Sequence, residues 1–228
     1  MPNFILSRGR SMSMVVLVLL LIMVLQGSIS YSTTFGRLEG YIASLNNKPI
    51  LTGWFILRIL IMVAILVLWL LNRKRDLFRA IILFNAVLTL GLIINMTILI
   101  IVLLGFSAQA VKSLLIDVFL MAVTNILIFS IWYWIIDPPG VEESQHEDEP
   151  WDFLFPQRGN NLPHYEAWQP RYTDYLYLAF TASFSFSPTD TLPLSRRAKW
   201  LMLLQATISI ITLTGIAGSA INILAGKA

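Results

Sequence analysis

The chain has 228 residues, of which 57% are hydrophobic and only 13% charged, with a net charge of +3 and a mean hydropathy of +0.73. Because a soluble globular protein is about 45–50% apolar and about 25% charged, this composition excludes a water-soluble domain and indicates an integral membrane protein. The chain has no cysteine, which excludes disulfides, a thiolate nucleophile and zinc or iron–sulfur sites built on thiolate sulfur. Its basic residues flank apolar runs rather than forming a nucleic-acid-binding face.

The first predicted element is an apolar segment over residues 12–29, which follows two arginines. It predicts a first membrane helix, although a basic start before an apolar run also fits a signal peptide cleaved near residue 30. Two further spans are predicted over residues 50–71 and 80–106. A bilayer core requires about 20 residues, so each run is long enough, and Arg58 in the second span is placed to reach the interface with its long side chain.

A fourth span is predicted over residues 111–136, and the Pro-Pro-Gly sequence after Asp137 ends it. Its last residues, Trp132, Tyr133 and Trp134, are typical of an aromatic anchor at the level of the lipid headgroups. Near its beginning, Asp117 shares a helix face with Thr124, and an acid in a membrane helix hints at function because it is costly unless paired. The alternative, which we favour, places Asp117 at the membrane interface near Lys112.

An acidic and aromatic linker is predicted over residues 137–173, and it holds seven of the thirteen acids of the chain before residue 153. Such an acidic run is usually solvated. The aromatic part that follows, from Trp151 onward, is predicted to fold onto the membrane surface or onto neighbouring helices. The two histidines, His146 and His164, lack metal-ligand spacing, so neither a metal site nor a cofactor is expected.

The distribution of basic residues predicts the orientation of the chain across the membrane. With five spans, eleven Lys and Arg residues fall on one side and five on the other. The positive-inside rule then places the N-terminus and the segment 137–197 in the cytoplasm, and we expect a bacterial inner (plasma) membrane protein.

A short apolar helix over about residues 174–184 is followed by a turn rich in hydroxyl groups and by a long apolar helix over residues 198–225. The short helix cannot span a bilayer, and Pro188 favours an extended conformation at the preceding residue. Non-helical backbone at membrane depth is tolerated where protein or water surrounds it, so the three parts predict a pore loop over residues 174–225. The predicted constriction is formed by Ser183, Ser185, Phe186, Ser187, Pro188, Thr189 and Asp190.

This segment resembles the pore module of potassium channels, which consists of a pore helix, a selectivity filter and an inner helix. The block Asp190-Thr191-Leu192-Pro193 matches the acid and the nearby proline that follow the family's filter. The filter itself would fall on residues 185–189, which contain no glycine, so the resemblance implies a pore loop without potassium selectivity. It also implies fourfold symmetry. Potassium channels insert this loop from outside, whereas the charge count here places it inside.

The chain also looks like a family of uncharacterised bacterial multi-pass membrane proteins. The shared blocks are Trp132-Tyr133-Trp134, Asp152 to Gln157 and Phe186 to Asp190. This resemblance covers roughly residues 110–225 and implies no particular function.

Small and weakly polar residues follow one face of the last helix at spacings of three and four. The stripe indicates either a pore lining or a close helix–helix seam, and a tetramer can combine the two. Its members are Gln205, Ser209, Thr212, Gly215 and Ser219.

The sequence therefore predicts an all-α polytopic membrane protein with five transmembrane helices and a re-entrant pore helix. We expect a homotetramer that passively conducts a small ion of unknown sign with weak selectivity. The alternative is a non-conducting accessory or assembly subunit that binds a partner through residues 151–172. No catalytic motif is present, so an enzyme is not expected.

Overall fold

The computed structural model describes residues 9–36, 48–105, 111–137, 151–159, 168–185 and 190–225. These residues are mainly helical, which confirms the all-α class. The helices are α1 (Gly9–Gly36), α2 (Lys48–Leu70), α3 (Lys74–Gly105), α4 (Val111–Ile136), α5 (Pro156–Gly159), α6 (Tyr172–Ser185) and α7 (Arg196–Ala225). Two short strands, β1 (Phe153–Leu154) and β2 (Leu192–Pro193), form one antiparallel pair.

Four of the described helices are long and apolar enough to cross a membrane, which supports an integral membrane protein. Their candidate spans are Met12–Ile29, Lys74–Ile98, Ile116–Ile136 and Arg196–Gly215. In α2 the apolar part of the described chain is the shorter stretch Ile56–Leu70, so the predicted fifth span is not among them.

A tight turn joins α2 to α3. Asn72 adopts a left-handed conformation with φ of 53°, and the amide of Arg73 bonds back to the carbonyl of Leu68 at 3.1 Å. Asparagine tolerates this conformation, which closes a helix C-terminus. The next helix begins at Lys74, before the predicted apolar span, because Asp76 is favourable at a helix N-terminus and a charged first turn remains helical.

The centre of the bundle is α4, which packs against α1, α3, α6 and α7. Its candidate span is 67% buried, against 39% for each of the other three. Side-chain amides tie it to its neighbours: Asn85 on α3 donates to the carbonyl of Ile128 at 3.2 Å. Helix α4 therefore provides the surface on which the later helices α6 and α7 pack.

The predicted aromatic anchor at the end of α4 is wrong for two of its three residues. Tyr133 and Trp134 are buried inside the chain, and Trp134 packs edge-on against Phe78 with ring centroids 5.8 Å apart. The indole of Trp132 donates to the hydroxyl of Thr89 at 2.9 Å. The reason is the central position of α4, which leaves little of its end free to face lipid headgroups.

The prediction that Arg58 reaches the interface is also wrong. Its side chain is buried, with 3% of the residue exposed, and its guanidinium lies against Gly91 of α3. Asp117 on α4 is buried as well, with 4% exposed.

Candidate functional site

The short helix α6 packs against α4 and α7. Hydrogen bonds of three side chains in its first turn hold its beginning in place. The carboxylate of Asp174 accepts from the backbone N–H of Arg171 at 2.6 Å, which caps the helix. The hydroxyls of Tyr172 and Ser130 lie 2.6 Å apart, and the hydroxyl of Tyr175 donates to Asp137 at 2.6 Å. The beginning of α6 is therefore attached to the last turns of α4.

The second half of α6 is held by Gln205 of α7, which is fully buried. The Nε2 of Gln205 donates at 2.7 Å both to the carbonyl oxygen of Ala179 and to the hydroxyl of Ser183. Its Oε1 accepts from the hydroxyl of Tyr133 on α4. One amide thus joins three helices, and we call this group, Tyr133, Ala179, Ser183 and Gln205, the Gln205 clasp.

Helix α4 contacts the next turn of α7 through Asn125. Its Nδ2 donates to the hydroxyl of Ser209 at 2.9 Å and to the carbonyl oxygen of Gln205 at 3.3 Å. The polar stripe of α7 therefore faces helices of the same chain at these two positions.

Asp152 binds the residues at the beginning of α7 and just before it. Arg197 forms two bonds to this carboxylate, from Nε to Oδ1 at 2.7 Å and from Nη2 to Oδ2 at 2.5 Å, and Ser195 bonds to the same group. The backbone N–H of Leu194 donates to the carbonyl of Asp152 at 2.8 Å, next to the β1–β2 pair. Ser195 also caps α7, since its hydroxyl accepts from the N–H of Ala198 at 3.1 Å.

Asp137, at the end of α4, accepts several hydrogen bonds. Its donors include the N–H groups of Asp152 and Phe153 at 3.1 and 3.2 Å, Nη1 of Arg158 at 2.8 Å and the hydroxyl of Tyr175 at 2.6 Å. Burial raises the pKa of Asp137 above its ordinary value, while the charge of Arg158 is the largest of the influences that oppose this rise. We call Asp137, Asp152, Arg158, Tyr175 and Arg197 the carboxylate knot.

The aromatic part of the predicted linker packs onto the helices, which was one of its two expected locations. Phe153 and Phe155 are buried. Phe153 lies edge-on to Tyr133 at 5.1 Å, and Phe155 lies edge-on to Tyr175 at 5.6 Å. The guanidinium of Arg158 lies 5.2 Å from the ring centroid of Trp151, so these rings also cover the buried ion pair.

Of the predicted pore-loop set, the structure describes the side chains of Ser183 and Asp190. Ser183 is buried in the Gln205 clasp, and Asp190 is exposed where the chain emerges before β2. Ser185 ends α6, but its side chain and the whole of Phe186, Ser187, Pro188 and Thr189 lie outside the described residues.

On α7, Gln205 and Ser209 bond within the chain, as described above. Thr212 is buried and bonds back to the carbonyl of Ile208 at 3.0 Å, and Gly215 is buried as well. The side chain of Ser219 lies outside the described part. The bonds of Gln205 and Ser209 are contacts between helices of one chain, whereas the bond of Thr212 lies within α7.

The carboxylate knot is not among the predicted features, although the sequence carries a signal for it. Asp137 was interpreted only as part of a helix stop, and Asp152 only as part of a shared block. An acid directly after a membrane span, followed by arginines near the start of the next helices, is a pattern that indicates interfacial ion pairs. Among the described residues no group of three or more His, Cys, Asp or Glu side chains is arranged to hold a metal.

Comparisons with protein-family models, with curated proteins and with solved structures found no match to this chain.

Proposed function

We propose that residues 172–225 form a pore-loop module through which the protein passively conducts a small ion. The observation that carries this proposal is that the beginning of α6 and the segment that precedes α7 are both bound at the same end of the bundle. Tyr175 bonds to Asp137 at the end of α4, and Leu194 bonds to Asp152, whose own N–H bonds to Asp137. A chain that enters and leaves at the same end is re-entrant.

The length of α6 supports the same conclusion. Its 14 residues extend for about 21 Å, which is less than the hydrocarbon core of about 30 Å. The clasp and the knot hold the described chain on both sides of residues 186–189. A segment of four residues that is fixed on both sides is suited to present hydroxyl and carbonyl oxygens to an ion in a defined geometry.

Within this proposal the polar residues divide into two roles. Ser183 and Gln205 are positioning residues, since their polar atoms bond to each other, and Ser209 belongs to the seam with α4. Contact with the ion is then left to the oxygens of Ser185, Ser187 and Thr189, with Asp190 setting the charge at the mouth. This arrangement gives weak selectivity, because no glycine-based carbonyl cage is present.

A fourfold assembly supplies the remaining walls of the pore. Exposed aromatic and aliphatic side chains of α6 and α7, among them Phe180, Phe184 and Trp200, provide the surface for packing between copies or against lipid. The same proposal includes five spans, with α2 as a full membrane span. It also includes a cytoplasmic N-terminus and location in a bacterial inner membrane.

The alternative function, an accessory subunit that binds a partner through residues 151–172, receives less support. That interface requires the aromatic rings of the segment, and Phe153 and Phe155 are already buried against Tyr133 and Tyr175 of the same chain.

The proposal is tested by recording purified full-length protein in planar lipid bilayers. Wild type is compared with S187V and D190N, and with T207V as a control, since Thr207 is exposed on α7 and its hydroxyl bonds to the carbonyl of Leu203 of its own helix. We expect currents from a tetramer that change in S187V and D190N and not in T207V. A monomeric protein without conductance, or unchanged currents in both variants, would contradict the proposal.

A further inference from the structure

The exposed residues of α3 lie along one face of the helix. Between residues 75 and 98, each exposed residue follows the one before it by three or four positions, which places them all in a single stripe. The other faces of α3 pack against α1, α2, α4 and α7. We call this exposed surface the α3 stripe, and its members are Arg75, Arg79, Leu83, Ala86, Leu90, Ile94 and Thr97.

The α3 stripe changes from charged to apolar along the helix. Arg75 and Arg79 occupy its beginning. Leu83, Leu90 and Ile94 follow, and they are 59%, 49% and 44% exposed. Leu83 and Ile94 are eleven positions apart in α3, which is about 16 Å along the helix axis, and one leaflet supplies about half of a hydrocarbon core of about 30 Å. The apolar part of the stripe therefore matches the depth of one leaflet, with the arginines at its polar boundary.

The two arginines of the stripe lie at the same end of the bundle as the carboxylate knot. Phe78, which lies between them in the sequence, packs edge-on against Trp134 near the end of α4. The acid nearest to them in the sequence is Asp76, which forms a salt bridge with Arg73 at 2.8 Å. Within the described part of the chain, neither arginine of the stripe forms a salt bridge, so both charges are available to an external anion.

We propose that the α3 stripe binds an anionic phospholipid, with the lipid phosphate on its two arginines and an acyl chain along its leucines and isoleucine. The guanidinium group donates a fork of N–H bonds that matches a phosphate, and Arg75 and Arg79, one helical turn apart, reach the same headgroup. Their two positive charges favour an anionic lipid over a zwitterionic one. A soluble anion would leave the apolar part of the stripe exposed, whereas an acyl chain covers it. The proposal does not depend on conduction through the pore-loop module.

The test measures lipid binding at the stripe itself, with purified full-length protein in vesicles. The natural chain has no cysteine, so A86C, in the middle of the stripe, carries a single bimane fluorophore. Its quenching is measured in mixed vesicles in which either the phosphatidylglycerol or the phosphatidylcholine is brominated, which gives the relative binding constant of the two lipids. The full-length chain retains the acidic run 142–149, so the measured preference includes its effect. We expect phosphatidylglycerol to bind about tenfold more tightly than phosphatidylcholine.

R75Q/R79Q in the labelled protein is expected to lose most of this preference, because the two guanidinium groups that hold the phosphate are removed. The charge-matched control is R196Q/K199Q, which removes two exposed cations at the beginning of α7 and should leave the preference unchanged. If R75Q/R79Q fails to fold, the single variants R75Q and R79Q decide the question against R196Q and K199Q.

The proposal is overturned if the parent shows no preference for phosphatidylglycerol. It is also overturned if R196Q/K199Q lowers the preference as much as R75Q/R79Q, which would mean general attraction to the charge of the protein surface. Displacement of phosphatidylglycerol by inorganic phosphate would assign the arginines to a soluble anion and would equally contradict the lipid site. S187V is expected to keep the preference, so failure of the pore-loop proposal leaves this one standing.

Discussion

Asp137 collects donors that are far apart in the sequence. Its partners Asp152, Arg158 and Tyr175 follow it by 15, 21 and 38 positions, and they belong to a loop, to α5 and to α6. The side chains of Asp137 and Arg158 are 0% and 3% exposed. Since a buried charge is tolerated only with its partner in place, this pair fixes how the linker folds over the end of α4.

Substitution of Asp137 tests the carboxylate knot directly. D137N leaves Arg158 buried without its counter-charge, and we expect a loss of about 3–5 kcal/mol in the free energy of unfolding. The measurement is denaturant unfolding in mixed micelles. The control is D76N, which removes a solvent-exposed pair with Arg73 and should cost about 0–1 kcal/mol. Equal losses in the two variants would show that the knot does not stabilise the fold.

The residue pairs of the carboxylate knot could not be predicted from the sequence. Composition predicted that charges are scarce and lie between apolar runs, and this holds for Asp137 and Asp152. Which side chains pair with Asp137 depends on how the chain folds back over α4. No local pattern around Asp137 specifies Tyr175, 38 positions away, as its partner. Arg58 was mispredicted for the same reason, because the space that receives its side chain is created by Gly91 on another helix.

At the scale of elements, α6 was the best-predicted feature of the candidate site. A helix over about residues 174–184 is expected from its apolar pattern, and the structure has Tyr172–Ser185, with the carboxylate of Asp174 accepting from the N–H of Arg171 in its first turn. Local signals are sufficient for such an element. The role of Gln205 was left open between a pore lining and a seam, because a stripe along one helix does not specify which neighbour covers it.

We expect the hydrogen bonds of the Gln205 clasp to hold α6 against α4 and α7. Q205L preserves the approximate volume but removes the donor to Ala179 and Ser183 and the acceptor for Tyr133, so we expect a loss of about 1–3 kcal/mol in unfolding free energy. T207V, two positions further along α7, should change it by less than about 0.5 kcal/mol. Both values come from the same denaturant titration, and hydrogen exchange should show faster amide exchange in α6 of Q205L alone. Unchanged exchange in α6 would mean that the clasp does not hold the helix.

At the scale of the whole molecule, the apolar runs predicted the helices of the bundle, and four of them are long enough to cross a membrane. The length of an apolar run does not determine which helix lies at the centre of the bundle. In this chain the central helix is α4, since α1, α3, α6 and α7 all pack against it.

The re-entrant path makes a topological prediction. The natural chain has no cysteine, so single cysteines can be placed without background and labelled in sealed membranes with an impermeant maleimide. We expect R73C in the α2–α3 turn and D190C after α6 to label from the same side, and K112C at the start of α4 to label from the other. Labelling of D190C from the side of K112C would mean that α6 crosses the membrane.

The most direct test of the pore-loop proposal is the effect of thiol modification on ion flux. S187C and T207C are reconstituted in liposomes, and ion flux is measured before and after a positively charged methanethiosulfonate reagent. We predict that modification changes flux through S187C, because the added charge enters the conducting turn, and leaves T207C and the cysteine-free parent unchanged. Absence of flux through the parent, or unchanged flux through fully modified S187C, would contradict the account.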